Sequence, residues 1–480
     1  MSVSIDERDD LTIIKSDDIF YNAIEGGESH IFKLQFKVNE SIIAQKATVL
    51  SITCTYKTGE VTKNATIQHS LKLYSQEEFT PIENPYAPYA DGGPMKWDSK
   101  MFFGREVEIK NVVDAIIKSP SKQIIIYGQK RSGKSSVLNR IKKSLQDTGK
   151  TFCVSFSLGE ILQNLNEVTF FYQIISSIKQ VLRDYEMDGI TNIPTFTIPT
   201  QKAFKEEDED NPLNTFIKYM IEFKHQCKLT EGWQDKMLVV MIDEFTYLYS
   251  GIKKGEISES IMKQWKAITQ NERAQFSVVL VGQDVVPSFK KEDFARNAFG
   301  VIQDMRLTYL KEEPARALIE TPILDENGNS RYIGDAVSRI IEYTSRNPYY
   351  IQIFCSRLVD FMNKNKSISV TEADVYEVAR SFIDGSDALE EDKFDNLIRA
   401  GESKDMQEHS EANTMAVLRQ IARYSKNIGY CNRTDINVLD NKDEEDAIIK
   451  DLYDREVLEM KGENNYKIQV KIFQEWLLNH

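Results

Sequence analysis

Between Gln123 and Leu145 the chain carries an order of residue types that a strand, a tight loop and a helix satisfy together. Ile124, Ile125 and Ile126 form the apolar run of a strand, Gln123 to Tyr127, of the kind expected when helices cover both faces of a parallel sheet. Gly128-Gln129-Lys130-Arg131-Ser132-Gly133-Lys134-Ser135 follows with the spacing G-x-x-x-x-G-K-S. Val137, Leu138, Ile141 and Leu145 then recur on one helical face after Ser136. Gly128 and Gly133 allow a backbone to approach phosphate closely. The loop amides and the helix N-terminus supply partial positive charge for it. Lys134 is placed to reach the β- and γ-phosphates, and Ser135 to ligate Mg²⁺. A glycine-rich turn with an incidental lysine would not need this strand-to-helix context, so the segment predicts ATP bound with Mg²⁺.

A metal-side carboxylate is expected at the end of a second buried strand. Leu238-Val239-Val240-Met241-Ile242 runs into Asp243-Glu244, about a hundred residues past the loop. Asp243 reads as the acid that holds the Mg²⁺ shell, and Glu244 as the general base or water-positioning residue. Gln283, after the strand beginning at Val278, is a candidate to sense the γ-phosphate, and equally a polar residue that merely ends a strand. Arg131, Arg296 and Arg306 are candidates to compensate charge on the phosphoryl group, within the subunit or across to a neighbour, although solvated surface arginine suits Arg296 better.

The strands Phe152 to Phe156, Leu238 to Ile242 and Val278 to Val281 alternate with helical stretches, the pattern of an α/β core. A chain of 480 residues exceeds one hydrophobic core, and the expected fold is multidomain α+β. Residues 1–85 alternate apolar and polar positions over short runs from Ile31 to Tyr74 and read as a β-sandwich with one face buried, serving interaction with another protein. Residues 86–100 form a linker within a proline-rich, largely extended stretch, Pro81 to Met101, that forbids a helix. Residues 101–308 form the P-loop ATPase core, 309–385 a helical lid, and 386–480 a winged-helix domain closed by a β element at Tyr466 to Val470. Lys202 to Asn211 reads as an acidic, solvated loop interrupting the core.

A net charge of −14 makes nucleic acid a disfavoured partner. The five cysteines and five histidines show no metal-ligand spacing, so the thiols read as reduced and mostly buried, and the metal as one that arrives with the nucleotide. With an acidic N-terminus and no apolar run long enough to span a bilayer, the expected location is the cytoplasm, without membrane partners.

Phe102-Phe103-Gly104-Arg105-Glu106, the phosphate loop, Ile242-Asp243-Glu244-Phe245 and Arg346-Asn347-Pro348-Tyr349-Tyr350-Ile351-Gln352, in that order, resemble the STAND and archaeal-type P-loop ATPases near the AAA+ and Orc/Cdc6 lineages. The resemblance spans roughly Met101 to the C-terminus. It implies that Gly104 and Arg105 lie near base and ribose and that Pro348 sits near adenine. Arg346 stands where relatives often have glycine. The resemblance further implies a nucleotide switch that assembles with a partner or effector protein, with ATP-dependent homo-oligomerisation, often in bacterial defence against phage. A rival expectation is a DNA-acting loader like Orc/Cdc6 proteins or transposition regulators. Against it, Asp440 to Asp454 holds seven carboxylates and two lysines where a DNA-reading helix needs basic residues.

Overall fold

The computed structural model describes residues 2–5, 11–16, 34–40, 42, 47–58, 61–72, 79–208, 211–269, 271–300, 302–384, 388–401 and 409–480. Strands β1 (Ser2–Ile5), β4 (Ala47–Thr58) and β5 (Val61–Lys72) form an antiparallel sheet in the order β1-β4-β5, while β2 (Leu11–Ser16) pairs with β3 (Leu34–Val38). The long β4–β5 register, from Ala47↔Lys72 to Thr58↔Val61, follows from the period-two pattern. One-sided burial does not extend to β5, whose residues 62–68 are all exposed, Ile67 at 62%. The turn residues Gly59 and Glu60 and the ends of the alternating stretch, residues 31–33 and 73–74, lie outside the described residues.

Residues 79–101 are more than a connection. Pro88 starts a short 3-10 turn, Ala87–Tyr89, where a missing amide donor costs nothing, so the expected exclusion of helical geometry is corrected there. Fully buried Tyr86 donates from its hydroxyl to the carbonyl of Ile319 (2.6 Å), and Ile82 and the Asn363 side chain exchange two hydrogen bonds of 2.8 Å. Ser136 Oγ accepts from the Met95 amide (2.9 Å) and Asn139 Nδ2 donates to the Met95 carbonyl (3.0 Å), which straps this segment across the helix behind the phosphate loop.

The core sheet is parallel, in the order β10-β6-β9-β8-β7, with β6 at Gln123–Tyr127, β7 at Thr151–Ser157, β8 at Met237–Asp243, β9 at Ser277–Gly282 and β10 at Gln303–Arg306. Four of these strands match the apolar runs. β10 is a short, polar, half-exposed edge strand without an apolar run to announce it. Two hydrophobic clusters flank the sheet. The alternate isoleucines Ile124 and Ile126 pack against the helix Lys134–Asp147 side, and Ile125 faces the aromatic side with Phe170, Phe216 and Trp265.

The acidic stretch after Thr200 is partly helical, correcting the loop expectation. The Thr200 hydroxyl accepts from the Ala203 amide, and Phe204 is fully buried between Tyr172 and Tyr219, so the helix Gln201–Glu207 is anchored to the core.

After β10 come helices Glu312–Glu320, Ala336–Thr344, Pro348–Asn365 and Glu372–Ser381, the last opened by a capping box between Thr371 and Asp374. Helix Glu411–Ile428, strand β11 (Cys431–Asn432), helix Lys442–Asp454, the hairpin β12 (Leu458–Lys461) and β13 (Asn465–Ile468), and helix Lys471–Asn479 complete the chain. One apolar cluster runs from Tyr86 through Phe354 to Phe394, Phe473 and Trp476, so no gap in packing separates the helices after Leu310 from the C-terminal unit. All five cysteines are free thiols, four of them buried. Among the described residues no helix is long and apolar enough to cross a membrane.

Candidate functional site

The phosphate loop takes its shape from a few backbone conformations. Arg131 (φ 67°) and Gly133 (φ 90°) sit in the left-handed region, and a Cβ on Gly128 would collide with the Leu307 carbonyl on β10's exit. Lys134 Nζ donates to the carbonyls of Gly128 (3.0 Å) and Gln129 (2.7 Å), and so is held over the loop. Ser135 Oγ donates to Asp243 Oδ2 at 2.7 Å, which joins the loop to the end of β8 across the sheet. Residues separated by more than a hundred positions thus bring their oxygens together at the C-terminal edge of a parallel sheet, where such sheets bind ligands.

Glu244 follows Asp243 with φ 54°, and its amide donates to Asp243 Oδ1 at 2.8 Å. That left-handed turn aims its carboxylate at Ser157, the last residue of β7, whose hydroxyl donates to Glu244 Oε2. A Cβ on Gly159 would strike the same carboxylate. The neighbouring strands therefore hold the candidate base by one hydroxyl, which a water or substrate must displace or share.

Beside the loop opens a cleft of about 840 Å³ including its mouth. The loop and helix start, Arg131 to Ser136, form one wall, with Arg105 and Pro348 nearby and the strap residues Gly92 to Met95 closing another. Arg105 has φ 73° and donates to the Thr308 carbonyl, and burial lowers its pKa. Gly104 packs so closely on Pro314 that a Cβ would overlap it. Asn347 caps helix Pro348–Asn365 through the Tyr349 amide (3.0 Å), placing Pro348 at the cleft.

Other predicted residues lie elsewhere. Lys130 is exposed. Gln283 is buried just beyond the end of β9. Arg131 lies over the Tyr349 ring, 4.5 Å from its centroid, and donates to the carbonyls of Asp392 (3.1 Å) and Lys393 (3.2 Å). Its guanidinium thus ties the phosphate loop to residues of the C-terminal half. Arg306 pairs with Asp284 (3.5 Å) and Glu456 (3.7 Å) and donates to the Asp454 carbonyl, again toward the C-terminal unit. Arg296 is exposed beside Asp293.

The residue missed in the sequence is Asp284, one position past Gln283. Its side chain is 4% exposed, and neither carboxylate oxygen finds a hydrogen bond within the described residues. Gln129 Oε1, Ser132 Oγ and Asn347 Nδ2 are also unpaired and line the same small cavity behind the loop, together with Arg455 and Glu456. Desolvation raises the Asp284 pKa, against the opposing pull of Arg306, Arg455 and Lys134. A carboxyl whose pKa is raised on folding gives stability that is complete below its unfolded pKa and is lost as pH climbs through the folded one. Asp284→Asn is therefore expected to melt above wild type at pH 8, with the two curves converging as pH falls toward 4. A melting series that diverges on acidification would contradict this.

A five-stranded parallel sheet with a phosphate loop after one strand and an acidic pair after another is a P-loop ATPase core, the site of an ATP-hydrolysing enzyme. Residues 102–294 match the family model described as an ATPase domain predominantly from Archaea. A Walker-type ATPase of Pyrococcus abyssi is similar in structure, with a TM-score of 0.53 at 14% identity, over 80% of this chain and 98% of that one. The ORC2 protein of Aeropyrum pernix, in ADPNP–ADP complexes, is similar with a TM-score of 0.50 at 11% identity, over 80% and 95% respectively. At such identities these likenesses speak for the fold. No curated protein sequence matches the chain.

Proposed function

We propose that the chain is a nucleotide-driven switch that controls assembly with a partner protein. One observation carries it: Gln129, inside the phosphate loop, donates from Nε2 to the Arg455 carbonyl of the C-terminal unit at 2.6 Å. Arg306, at the end of β10, and Tyr309, just past it, hold the same turn, Tyr309 through a 2.9 Å bond to the Glu456 carbonyl. A loop that holds phosphate with its backbone and the C-terminal unit with a side chain gives ATP and ADP unequal affinity for docked and released arrangements, which is all a switch requires.

In this reading, residues 1–85 form an interaction unit, 86–100 a strap, 101–308 the ATPase core, 309–385 a lid and 386–480 a winged helix. The order of helix, strand, helix and hairpin from Glu411 to Ile468 supports the last of these. Ser135 and Asp243 would hold Mg²⁺, since their converging oxygens suit a hard dication, and Mg²⁺ would offset charge on the phosphates. Lys134 would bind the β- and γ-phosphates and Glu244 would orient the attacking water. A setting in defence against phage rests on the STAND resemblance alone.

The competing DNA loader is disfavoured by the surface of helix Lys442–Asp454, where exposed Asp443, Asp446 and Asp454 outnumber Lys442 and Lys450. Size-exclusion chromatography with light scattering on Glu244→Gln protein separates the readings. ATP with Mg²⁺ is expected to increase the mass relative to ADP, without uptake of added duplex DNA. Growth only on DNA would favour the loader, and a mass indifferent to nucleotide would sink the assembly reading.

A further inference from the structure

We propose that Gln352 reads the base of the bound nucleotide and makes this site prefer adenine; the inference rests on the cleft being the ATP site. The cleft is chemically divided. One end is the polar phosphate loop, and the other is a box of Met95, Met101, Phe102, Phe103, Leu310 and Leu318, apolar and aromatic as a flat base requires. Gln352 lines the cleft together with Pro348 and Tyr349. It stands one helical turn beyond Pro348, on a helix that packs against the Leu318 helix. Its residue exposure is 6%, it lines the cleft, and its amide makes no hydrogen bond with the described residues.

Buried amides in folded proteins are satisfied by partners. An unpaired one that lines a nucleotide cleft from an otherwise buried helix face has its natural partner in the ligand. The chemistry selects the base. An amide offers an acceptor beside a donor, which complements the 6-amino group and the adjacent ring nitrogen of adenine. Beside N7 guanine instead offers O6, a second acceptor, so that an amide cannot satisfy both while an arginine can donate to both.

The test uses the full chain and displacement of a fluorescent ATP analogue by ATP and by GTP. The ATP-to-GTP affinity ratio is read within each variant, so a partly inactive preparation does not distort it. Gln352→Leu is expected to lower the ratio on the order of tenfold, the scale of one bidentate base contact. Gln352→Arg, which donates to both N7 and O6 of guanine, is expected to move it further toward GTP. An unchanged ratio in both variants, with ATP still bound, would overturn the role of Gln352 and leave the ATP site standing. Failure of the wild-type protein to bind either nucleotide would overturn both.

Discussion

Glu244→Gln protein is expected to bind ATP with near-normal affinity and to hydrolyse it roughly 10²- to 10⁴-fold more slowly, the span that a positioned general base contributes. The substitution keeps the shape of the side chain and its ability to accept from Ser157, so the left-handed turn at φ 54° and the adjoining Asp243 carboxylate stay in place. What is lost is basicity. Phosphate binding falls to other groups, the loop amides and Lys134, so binding and turnover should separate cleanly. The measurement pairs equilibrium binding of a fluorescent ATP analogue with phosphate release under single-turnover conditions. Parallel loss of binding and hydrolysis would place Glu244 in the architecture of the loop rather than in the chemistry. Hydrolysis within a few-fold of wild type would remove it from the reaction altogether.

How legible this site was in the sequence depended on the range over which each residue acts. The loop, Lys134, Ser135 and the Asp243–Glu244 pair are fixed by short-range patterns, a strand's apolar run and the residues at its end, and the structure brings Ser135 and Asp243 within 2.7 Å. Gln283 and Asp284 show where such reasoning loses resolution. Both follow β9, and only the surroundings supplied by Arg306 and Arg455 distinguish the buried carboxylate from its neighbour. Arg131 and Arg306 were legible as arginines near a phosphate site. Their partners, Tyr349, Asp392, Asp454 and Glu456, come from regions that no local pattern ties to the loop. The strap was read from its prolines as a linker, because proline content reports backbone freedom and not what Tyr86 or Met95 will touch. Phe204 carries no periodic signal among its acidic neighbours, yet one buried aromatic outweighs several solvated charges in fixing a short helix.

Loosening the turn at Arg455–Glu456 should release the C-terminal unit from the core and speed ADP dissociation on the order of 100-fold. Arg306→Ala combined with Tyr309→Phe removes four contacts with that turn and its supports. These are the Arg306 interactions with the Asp454 carbonyl, Glu456 and Asp284, and the Tyr309 bond to the Glu456 carbonyl. Neutral hydrogen bonds contribute about 0.5–1.5 kcal/mol each and charged ones about 1.5–3 kcal/mol, and contacts sharing one arginine do not add fully. A net loss near 3 kcal/mol corresponds to the 100-fold change. The Arg306 pairs with Asp284 and Glu456 exceed 3.4 Å and contribute least, so most of the effect should come from the two carbonyls. Glu456 itself adopts φ 60°, a conformation disfavoured for a residue with a Cβ, so the turn is held against a backbone preference and relaxes once its clamps are gone. Gln129→Ala should act in the same direction more weakly, since it removes one bond from the loop side. Stopped-flow release of fluorescent ADP, with small-angle scattering on the same samples, reads both parts of the claim. Faster release with an expanded particle supports coupling between nucleotide and C-terminal unit. An expanded particle with unaltered release would show that the unit docks without controlling the site, and the switch would have to work through the lid alone.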